Sequence, residues 1–223
     1  TNTSRGSRKG EDNLVRVNLT FLEAINGCKK TIKVATTELC PDCNGKGGLG
    51  EKTCSVCHGS GTVTSEQRSL FGSFMTRTTC DNCHGKGTTY EKNCTTCRGT
   101  GKINKTKEIE VKVPAGVDNG NQLRIAGKGG AGYNGGPNGD LYIEFTVEEH
   151  PIFEREEDDI YLFLPITIVD CVLGCKKDIP TLEGTIKLTI PENSKTGDKL
   201  RIKGKGITNV NTGKKGDMYV VLN

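Results

Sequence analysis

Eight of the eleven cysteines in this 223-residue sequence occur in four copies of one phrase, CxxCxGxG. The copies occupy residues 40–47, 54–61, 80–87 and 94–101. Two thiolates separated by two residues on a tight turn supply half of a tetrahedral zinc shell. The glycine two residues after the second cysteine permits a positive φ, which lets backbone N–H groups approach the sulfurs. Four half-shells predict two zinc ions.

An internal repeat covers most of the remaining chain. Residues 113–142 match residues 190–219 at a constant offset of 77. Upstream, residues 27–30 match residues 174–177 at an offset of 147, both reading Gly-Cys-Lys-Lys. The two offsets differ by 70 residues, so the first copy carries an insertion of that length. The insertion contains all four cysteine phrases, which predicts a zinc module that grows from the first of two related domains.

Each copy has the pattern of a mainly β domain. Residues 108–113 and 185–190 alternate apolar and polar side chains, a period of two that predicts half-buried antiparallel strands. Residues 20–27 and 167–174 each begin with a Thr-x-x-acidic pattern and end on glycine, which predicts one short capped helix per copy. The predicted domains are a first β domain (12–38 plus 102–148), the zinc module (39–101) and a second β domain (149–223).

The spacing of the four phrases predicts which of them share a metal. Two ten-residue linkers, 44–53 and 84–93, flank a longer middle segment. The insertion leaves and re-enters the first domain near Val34 and Lys107, which should lie on neighbouring strands. The first and fourth phrases then meet at the base of the module and the second and third at its tip. The predicted zinc ligands are Cys40, Cys43, Cys94 and Cys97 for one ion, and Cys54, Cys57, Cys80 and Cys83 for the other.

Three classes of function are compatible with these cysteines. A closed four-cysteine shell leaves no position for a substrate water, so the predicted zinc is structural. Thiol–disulfide exchange is a second class, and it needs an accessible thiolate that tight zinc binding suppresses. A zinc-dependent nucleic-acid binder is a third. The formal charge of +4 falls to near zero when eight thiolates and two Zn²⁺ are included, and no basic or aromatic stripe separates the phrases.

The motifs together resemble the client-binding part of DnaJ-type (type I J-domain) co-chaperones, especially bacterial and organellar members. The resemblance rests on the inserted phrases and on VPAGVDNG, GKGGAGYNGGPNGDLY and HPIFERE at residues 113–120, 127–142 and 150–156. It implies two β-sandwich or barrel-like domains, two zinc centres, and binding of unfolded polypeptide for delivery to a DnaK-type ATPase. It also implies no enzyme activity, no membrane or nucleic-acid partner, and a location in the cytoplasm or in the matrix or stroma of an organelle of bacterial origin.

Two departures from the family pattern shape the expectation. The three histidines are His58, His84 and His150, and none begins the His-Pro-Asp signature of the J domain. The family's dimerisation segment would follow the last strand. We therefore expect a J-domain-free fragment that is a monomer and comes from a homodimeric parent.

The predicted client groove lies in the first β domain. A chaperone that accepts many sequences should bind the main chain of its client at an exposed sheet edge, beside a shallow apolar pocket. Ile32 and Val34 lie two apart on the strand that enters the insertion, and Ile109 and Ile143 match the family's pocket-lining positions. The alternative is that all four belong to the ordinary core. In the second copy Pro180 lacks the N–H that an edge strand would donate, which predicts weaker binding there.

Further candidates stand outside the predicted metal shells. Phe71, Phe74 and Met75 lie in the long middle linker, where they either pack on the cysteine loops or contact a client or the ATPase partner. The remaining thiols are Cys28, Cys171 and Cys175. The alternatives are metal ligands or reactive thiols, but their places in or after the short helices predict small buried hydrophobes.

Overall fold

The computed structural model describes residues 7–69 and 72–223, and this part of the chain is mainly β with two short helices. The elements are β1 (Asn13–Leu19), α1 (Phe21–Asn26), β2 (Cys28–Leu39), β3 (Gly48–Thr53), β4 (Thr62–Ser69), β5 (Gly72–Thr79), β6 (Thr88–Asn93), β7 (Lys102–Val113), β8 (Gln122–Ile125), β9 (Leu141–Val147), β10 (Phe153–Glu156), β11 (Asp159–Leu164), α2 (Ile168–Leu173), β12 (Cys175–Thr181), β13 (Gly184–Ile190), β14 (Lys199–Ile202) and β15 (Met218–Leu222).

Both predicted helices are present, and each begins with a complete capping box. In α1 the Thr20 hydroxyl accepts the Glu23 N–H at 3.3 Å, and the Glu23 carboxylate accepts the Thr20 N–H at 2.9 Å. These bonds satisfy two N–H groups that have no partner inside the helix. Gly27 ends the helix with a φ of 72°, a left-handed conformation that favours glycine. The equivalent residues of α2 are Thr167, Asp170 and Gly174.

The strands form one four-stranded sheet, one three-stranded sheet and four pairs. The larger sheets have the orders β10-β11-β15-β14 and β1-β9-β8. The pairs are β12-β13, β2-β7, β3-β6 and β4-β5. The last three are nested along the chain, as expected for an insertion that leaves and re-enters one domain. Val34 lies on β2 and Lys107 on β7, so the prediction that they lie on neighbouring strands is confirmed.

The chain divides into two compact units. Unit 1 comprises Thr1–Val15, Lys33–Glu108 and Leu123–Ile143, and unit 2 comprises Arg16–Ile32, Ile109–Gln122 and Glu144–Asn223. Unit 1 contains the inserted pairs and the two cysteine clusters. The apolar core of unit 2 consists of Phe21, Ile25, Phe153, Ile160, Leu162, Ile179, Ile190, Ile207, Met218, Val220 and Leu222. The domain boundaries given above remain a prediction.

The repeat is visible in the contacts of one aspartate in each unit. In unit 1 the Asp140 carboxylate accepts the Gly127 N–H at 2.9 Å and pairs with Arg124 at 2.7 Å. In unit 2 the Asp217 carboxylate accepts the Gly204 N–H at 2.6 Å and bonds the Arg201 Nε at 2.7 Å. All three positions are related by the offset of 77, so the two loops use the same hydrogen bonds.

None of the helices described here is both long enough and apolar enough to cross a membrane.

Candidate metal centres

The structure brings the eight phrase cysteines together in two buried groups. Centre 1 comprises Cys40, Cys43, Cys94 and Cys97, and centre 2 comprises Cys54, Cys57, Cys80 and Cys83. Within each centre the four Sγ atoms lie within 4.8 Å of one another. These are the sets that the nesting of the phrases predicts. None of the eleven cysteines, all of which the structure describes, forms a disulfide.

The distances between the sulfurs match a tetrahedral shell. A zinc–sulfur bond of about 2.3 Å in a tetrahedron places the sulfurs about 3.8 Å apart. In centre 1 the Sγ atoms of Cys40 and Cys94 are 3.8 Å apart, and those of Cys43 and Cys97 are 3.7 Å apart. In centre 2 the Sγ atoms of Cys54 and Cys80 are 3.9 Å apart, and those of Cys57 and Cys83 are 3.5 Å apart. A disulfide would need about 2.05 Å, so the spacing fits a shared cation.

Reciprocal backbone hydrogen bonds hold each pair of phrases together. In centre 1 the Cys40 N–H donates to the Gly101 carbonyl at 2.9 Å, and the Cys94 N–H donates to the Gly47 carbonyl at 2.9 Å. The first cysteine of each phrase is thus anchored to the last glycine of the other. Centre 2 repeats the arrangement with Cys54 to Gly87 and Cys80 to Gly61, both at 3.0 Å.

The last glycine of each phrase is required by a close approach. A Cβ on Gly47 would lie 2.3 Å from the Gly99 carbonyl oxygen, and one on Gly101 would lie 2.2 Å from that of Gly45. Each of these glycines also has a positive φ, 89° and 75°. Their N–H groups donate to the Sγ of Cys43 and Cys97, both at 3.2 Å. Such N–H to sulfur bonds stabilise thiolates and orient them toward a metal.

The electrostatics of the two centres favour a bound dication. Burial raises the pKa of the Cys40 and Cys83 thiols to about 11. The Cys57 N–H and the Asn82 amide, whose Nδ2 lies 3.3 Å from Cys54 Sγ, lower the pKa of Cys54 to about 6. Four thiolates this close together repel one another unless a cation neutralises them. The donor set therefore fits a soft divalent metal, and binding it would release protons from the high-pKa thiols.

The structure places the predicted groove residues in or near the interior. Val34 and Ile143 are fully buried and Ile32 is 8% exposed. Ile109 is half-buried. These burials are compatible with the alternative that the residues belong to the core, so the groove remains a prediction.

The remaining candidates are more exposed than the sequence indicates, where the structure describes them. Met75 on β5 is 81% exposed, so its side chain does not pack on the cysteine loops. Phe71 lies outside the described residues, and Phe74 is described only through its backbone on β5. Cys28, Cys171 and Cys175 are half-buried rather than buried, and Cys175 packs against the apolar core of unit 2, so the prediction that they are small buried hydrophobes is confirmed only in part. Each lies in or beside a short helix whose end reaches the surface.

Sequence reasoning missed the side chains that support the shells. Asn82 occupies a variable position of the third phrase, and Thr96 donates its hydroxyl to the Asp42 carboxylate across centre 1. The spacing of the cysteines carries no signal for these contacts, because they depend on which phrases become neighbours in space.

A mainly β chain with a nested insertion defines a class of β protein whose two four-cysteine centres could each hold a metal ion. Residues 14–223 match the family model described as "DnaJ C terminal domain". The chain therefore belongs to the DnaJ C-terminal domain family.

Known proteins similar to this chain carry the name "Chaperone protein DnaJ". That of Geobacillus kaustophilus is 46% identical over 220 residues, which is 97% of this chain and 58% of the relative. That of Exiguobacterium sibiricum is 44% identical over 216 residues, which is 96% of this chain and 59% of the relative. That of Bacillus cytotoxicus is 45% identical over 218 residues, which is 96% of this chain and 60% of the relative. The chain thus spans somewhat more than half the length of these relatives.

Proposed function

We propose that this chain binds unfolded or partly folded polypeptide as the client-binding part of a DnaJ-type co-chaperone. It passes the client to a DnaK-type ATPase and serves protein folding and the heat response. The observation that carries the proposal is the pair of four-cysteine centres inserted into the first repeat of a chain that belongs to the DnaJ C-terminal domain family. The closed shells support binding without catalysis, because they leave no position for substrate.

Suppression of aggregation tests this function. We expect the chain to suppress aggregation of a reduced, unfolded protein in proportion to its own concentration, with no turnover. An enzyme of thiol–disulfide exchange would instead act at substoichiometric amounts and would be blocked by thiol alkylation. Catalytic reactivation of a scrambled disulfide protein by this chain alone would contradict the proposal.

We propose Zn²⁺ as the metal of both centres. The tetrahedral sulfur spacing and the all-thiolate donor set support zinc, which such shells bind in structural sites. Metal analysis of the purified chain should give two zinc ions per molecule. Anomalous scattering should place one ion on each predicted set of cysteines, and an ion that bridges Cys43 and Cys54 would contradict the assignment.

Burial of the sulfurs also bears on the redox alternative and on location. The eight phrase cysteines are at most 7% exposed, which hinders attack by an external disulfide. The absence of disulfides among the eleven cysteines fits a reducing compartment, and we propose the cytoplasm or the matrix or stroma of an organelle of bacterial origin.

The open edge of β2 supports the client groove. In the described part of the chain, β2 has one strand partner, β7. On its other edge the Thr37 carbonyl accepts the Ala131 N–H at 2.8 Å and the Ala35 carbonyl accepts from Asn13 at 3.3 Å. Backbone groups two residues apart face the same edge, so those of Lys33 and Thr31 point the same way without a described strand beside them. A client strand added there would pass Ile32 and Val34.

The second repeat supplies a matched control for this groove. Ile179 on β12 is equivalent to Ile32 at the offset of 147 and is fully buried. Pro180, equivalent to Lys33, removes the N–H that a client would need. We expect Ile32→Ser with Val34→Ser to weaken binding of a Leu-rich extended peptide at least about tenfold, or about 1.4 kcal/mol. Ile179→Ser should destabilise the fold yet leave the affinity unchanged.

Unaltered peptide affinity in a folded double variant with both zinc ions would place the groove elsewhere. Equal loss in the Ile179→Ser variant would show that destabilisation, rather than lost contact, weakens binding. Ile109→Ser extends the test, because a half-buried position tolerates serine better than Val34 does.

We further propose that this stretch holds clients without stimulating the ATPase, since none of its histidines belongs to a His-Pro-Asp segment. A single-turnover assay with a DnaK-type partner should show no acceleration of ATP hydrolysis, and acceleration would overturn this proposal.

Phe71, Phe74 and Met75 are proposed client or partner contacts, which the exposure of Met75 supports. We also propose that the chain is a monomer and its parent a homodimer, which sedimentation would test.

A further inference from the structure

A wide cavity in unit 1 lies beside the cysteine loops and has no role in the function proposed above. Its volume is about 1140 Å³. The ends of three cysteine phrases, strand β5, the start of β7 and the loop around Tyr133 form its wall. The charged side chains of the wall are Arg8, Arg77, Lys86 and Lys102, with His84 beside them. No aspartate or glutamate among the described residues lines it.

Among the side chains that the structure describes, none of the four cations of this wall forms an ion pair with a carboxylate. Ion pairs are common elsewhere in unit 1. On the same strand as Lys102, the side chains of Lys105 and Lys107 both pair with Glu38, the former at 3.3 Å. Lysines on one strand thus differ in whether their charge is neutralised. A concave surface with charge of one sign concentrates its field and attracts the opposite charge.

Lys102 is the most enclosed of the four. Its Nζ lies 3.1 Å from the centre of the Tyr133 ring and donates to the Ala131 carbonyl, both of which are neutral groups. Burial lowers the pKa of Lys102, and the charge of Glu11 opposes this effect. A desolvated ammonium whose direct contacts are neutral gains more from an added anion than an exposed one does.

The size and lining of the cavity decide between kinds of anion. A small-molecule site occupies about 300 to 1000 Å³, so this cavity exceeds what one small anion fills. Nucleic acid strands are held by aromatic rings that stack on bases as well as by cations. Among the lining side chains that the structure describes, Tyr133 supplies the one phenol ring, and the Lys102 ammonium covers it. An extended polypeptide needs no such platform.

We infer that this cavity binds an acidic, extended polypeptide segment through its side-chain carboxylates. The site is separate from the proposed apolar groove and selects for charge rather than for leucine-like side chains. An acidic stretch of a client or of a partner protein would neutralise the cations of this wall. Because exposed charges are screened within about 8 to 10 Å at moderate ionic strength, its affinity should fall with added salt.

The experiment compares labelled peptides on the intact, metal-loaded chain by fluorescence anisotropy. The probes are a peptide of alternating glutamate and serine, its glutamine counterpart, and a single-stranded oligonucleotide of similar length. The cavity variant is Arg8→Gln with Arg77→Gln, two positions that lie outside the four cysteine phrases. The control is Lys195→Gln with Lys214→Gln, which removes the same charge from exposed sites in unit 2.

We expect the glutamate peptide to bind at least about tenfold more tightly than the glutamine peptide, and the cavity variant to lose at least about that factor. The control variant should keep the wild-type affinity. Equal binding of the two peptides, equal loss in the control, or tighter binding of the oligonucleotide would each overturn the inference. If the double variant fails to fold, Arg77→Gln and Lys102→Gln are measured singly, and unchanged affinity in both also overturns it.

Discussion

Helices α1 and α2 both begin with a capping box and both end at a glycine, yet they differ in how far their apolar side chains are buried. In α1 the side chains of Phe21 and Ile25 are each 6% exposed and belong to the core of unit 2. Their equivalents in α2, Ile168 and Val172, are 83% and 55% exposed. Local sequence therefore makes the helix, whereas packing partners decide whether its apolar face contributes to stability.

The two repeats also differ because the first carries an insertion that the second lacks. The first copy carries a module whose small nested pairs bury mainly cysteines, with Ile103 and Val63 packed beside them. The second copy has a core of aliphatic and aromatic side chains. One region should therefore depend on metal and the other on apolar burial.

Metal removal should give the largest difference between the two regions. Structural zinc contributes about 10 to 16 kcal/mol in small modules, so chelation should unfold the insertion. Hydrogen exchange should show loss of protection over residues 39–101 and retained protection over β11 and β15. Loss of protection in both regions would show that the core of unit 2 also depends on the metal.

Replacing a large apolar side chain of each helix by alanine should give the next largest difference. Phe21→Ala removes a buried aromatic side chain and should lower the free energy of unfolding of unit 2 by about 3 to 5 kcal/mol. Ile168→Ala changes an exposed side chain and should stay within about 0.5 kcal/mol. Denaturant unfolding would measure both. Equal effects would mean that the face of α2 is covered in solution.

Acidification should separate the two loop aspartates. The Gly127 N–H, Lys9 and Arg124 hold the pKa of Asp140 well below its usual range, and the Gly204 N–H and Arg201 lower that of Asp217. A carboxyl whose folded pKa is depressed contributes stability above its unfolded pKa of about 3.9, and this contribution is lost as the pH falls further.

Stability should fall less steeply with acidification in asparagine variants of the two loop aspartates than in the wild type. Asp140→Asn should therefore reduce the acid-induced loss of stability of unit 1 by more than Asp217→Asn reduces that of unit 2. Asp140 has two cationic partners and Asp217 has one. Stability measured as a function of pH between about 2 and 6 would test this, because that interval spans the unfolded carboxyl pKa. An identical acid limb in wild type and both variants would contradict the role of these loops.

Loss of the helix caps should give the smallest effect. Thr20→Ala should cost about 1 kcal/mol, because it removes a cap from a helix that holds part of the core. Thr167→Ala should cost less, since α2 can fray without exposing buried side chains. Thr→Ser at each position preserves the hydroxyl and is the control. A larger loss at Thr167 would reverse the ranking of the two helices.

The sequence by itself determined much of this protein. The phrase spacing indicates two four-cysteine sets, and the offsets of 77 and 147 locate the repeat and the insertion. The Thr-x-x-acidic patterns define both helices. These features are readable because they depend on residues close in sequence, or on two segments that adopt the same local structure twice.

Only the tertiary structure decided which surfaces are covered and which charges converge. The exposed face of α2 and the half-buried Cys28 and Cys171 follow from which elements pack nearby, which no local pattern records. The cationic cavity gathers Arg8, Arg77 and Lys102 from three distant segments. Burial and field strength are sums over neighbours in space, so they become defined only once the chain has folded.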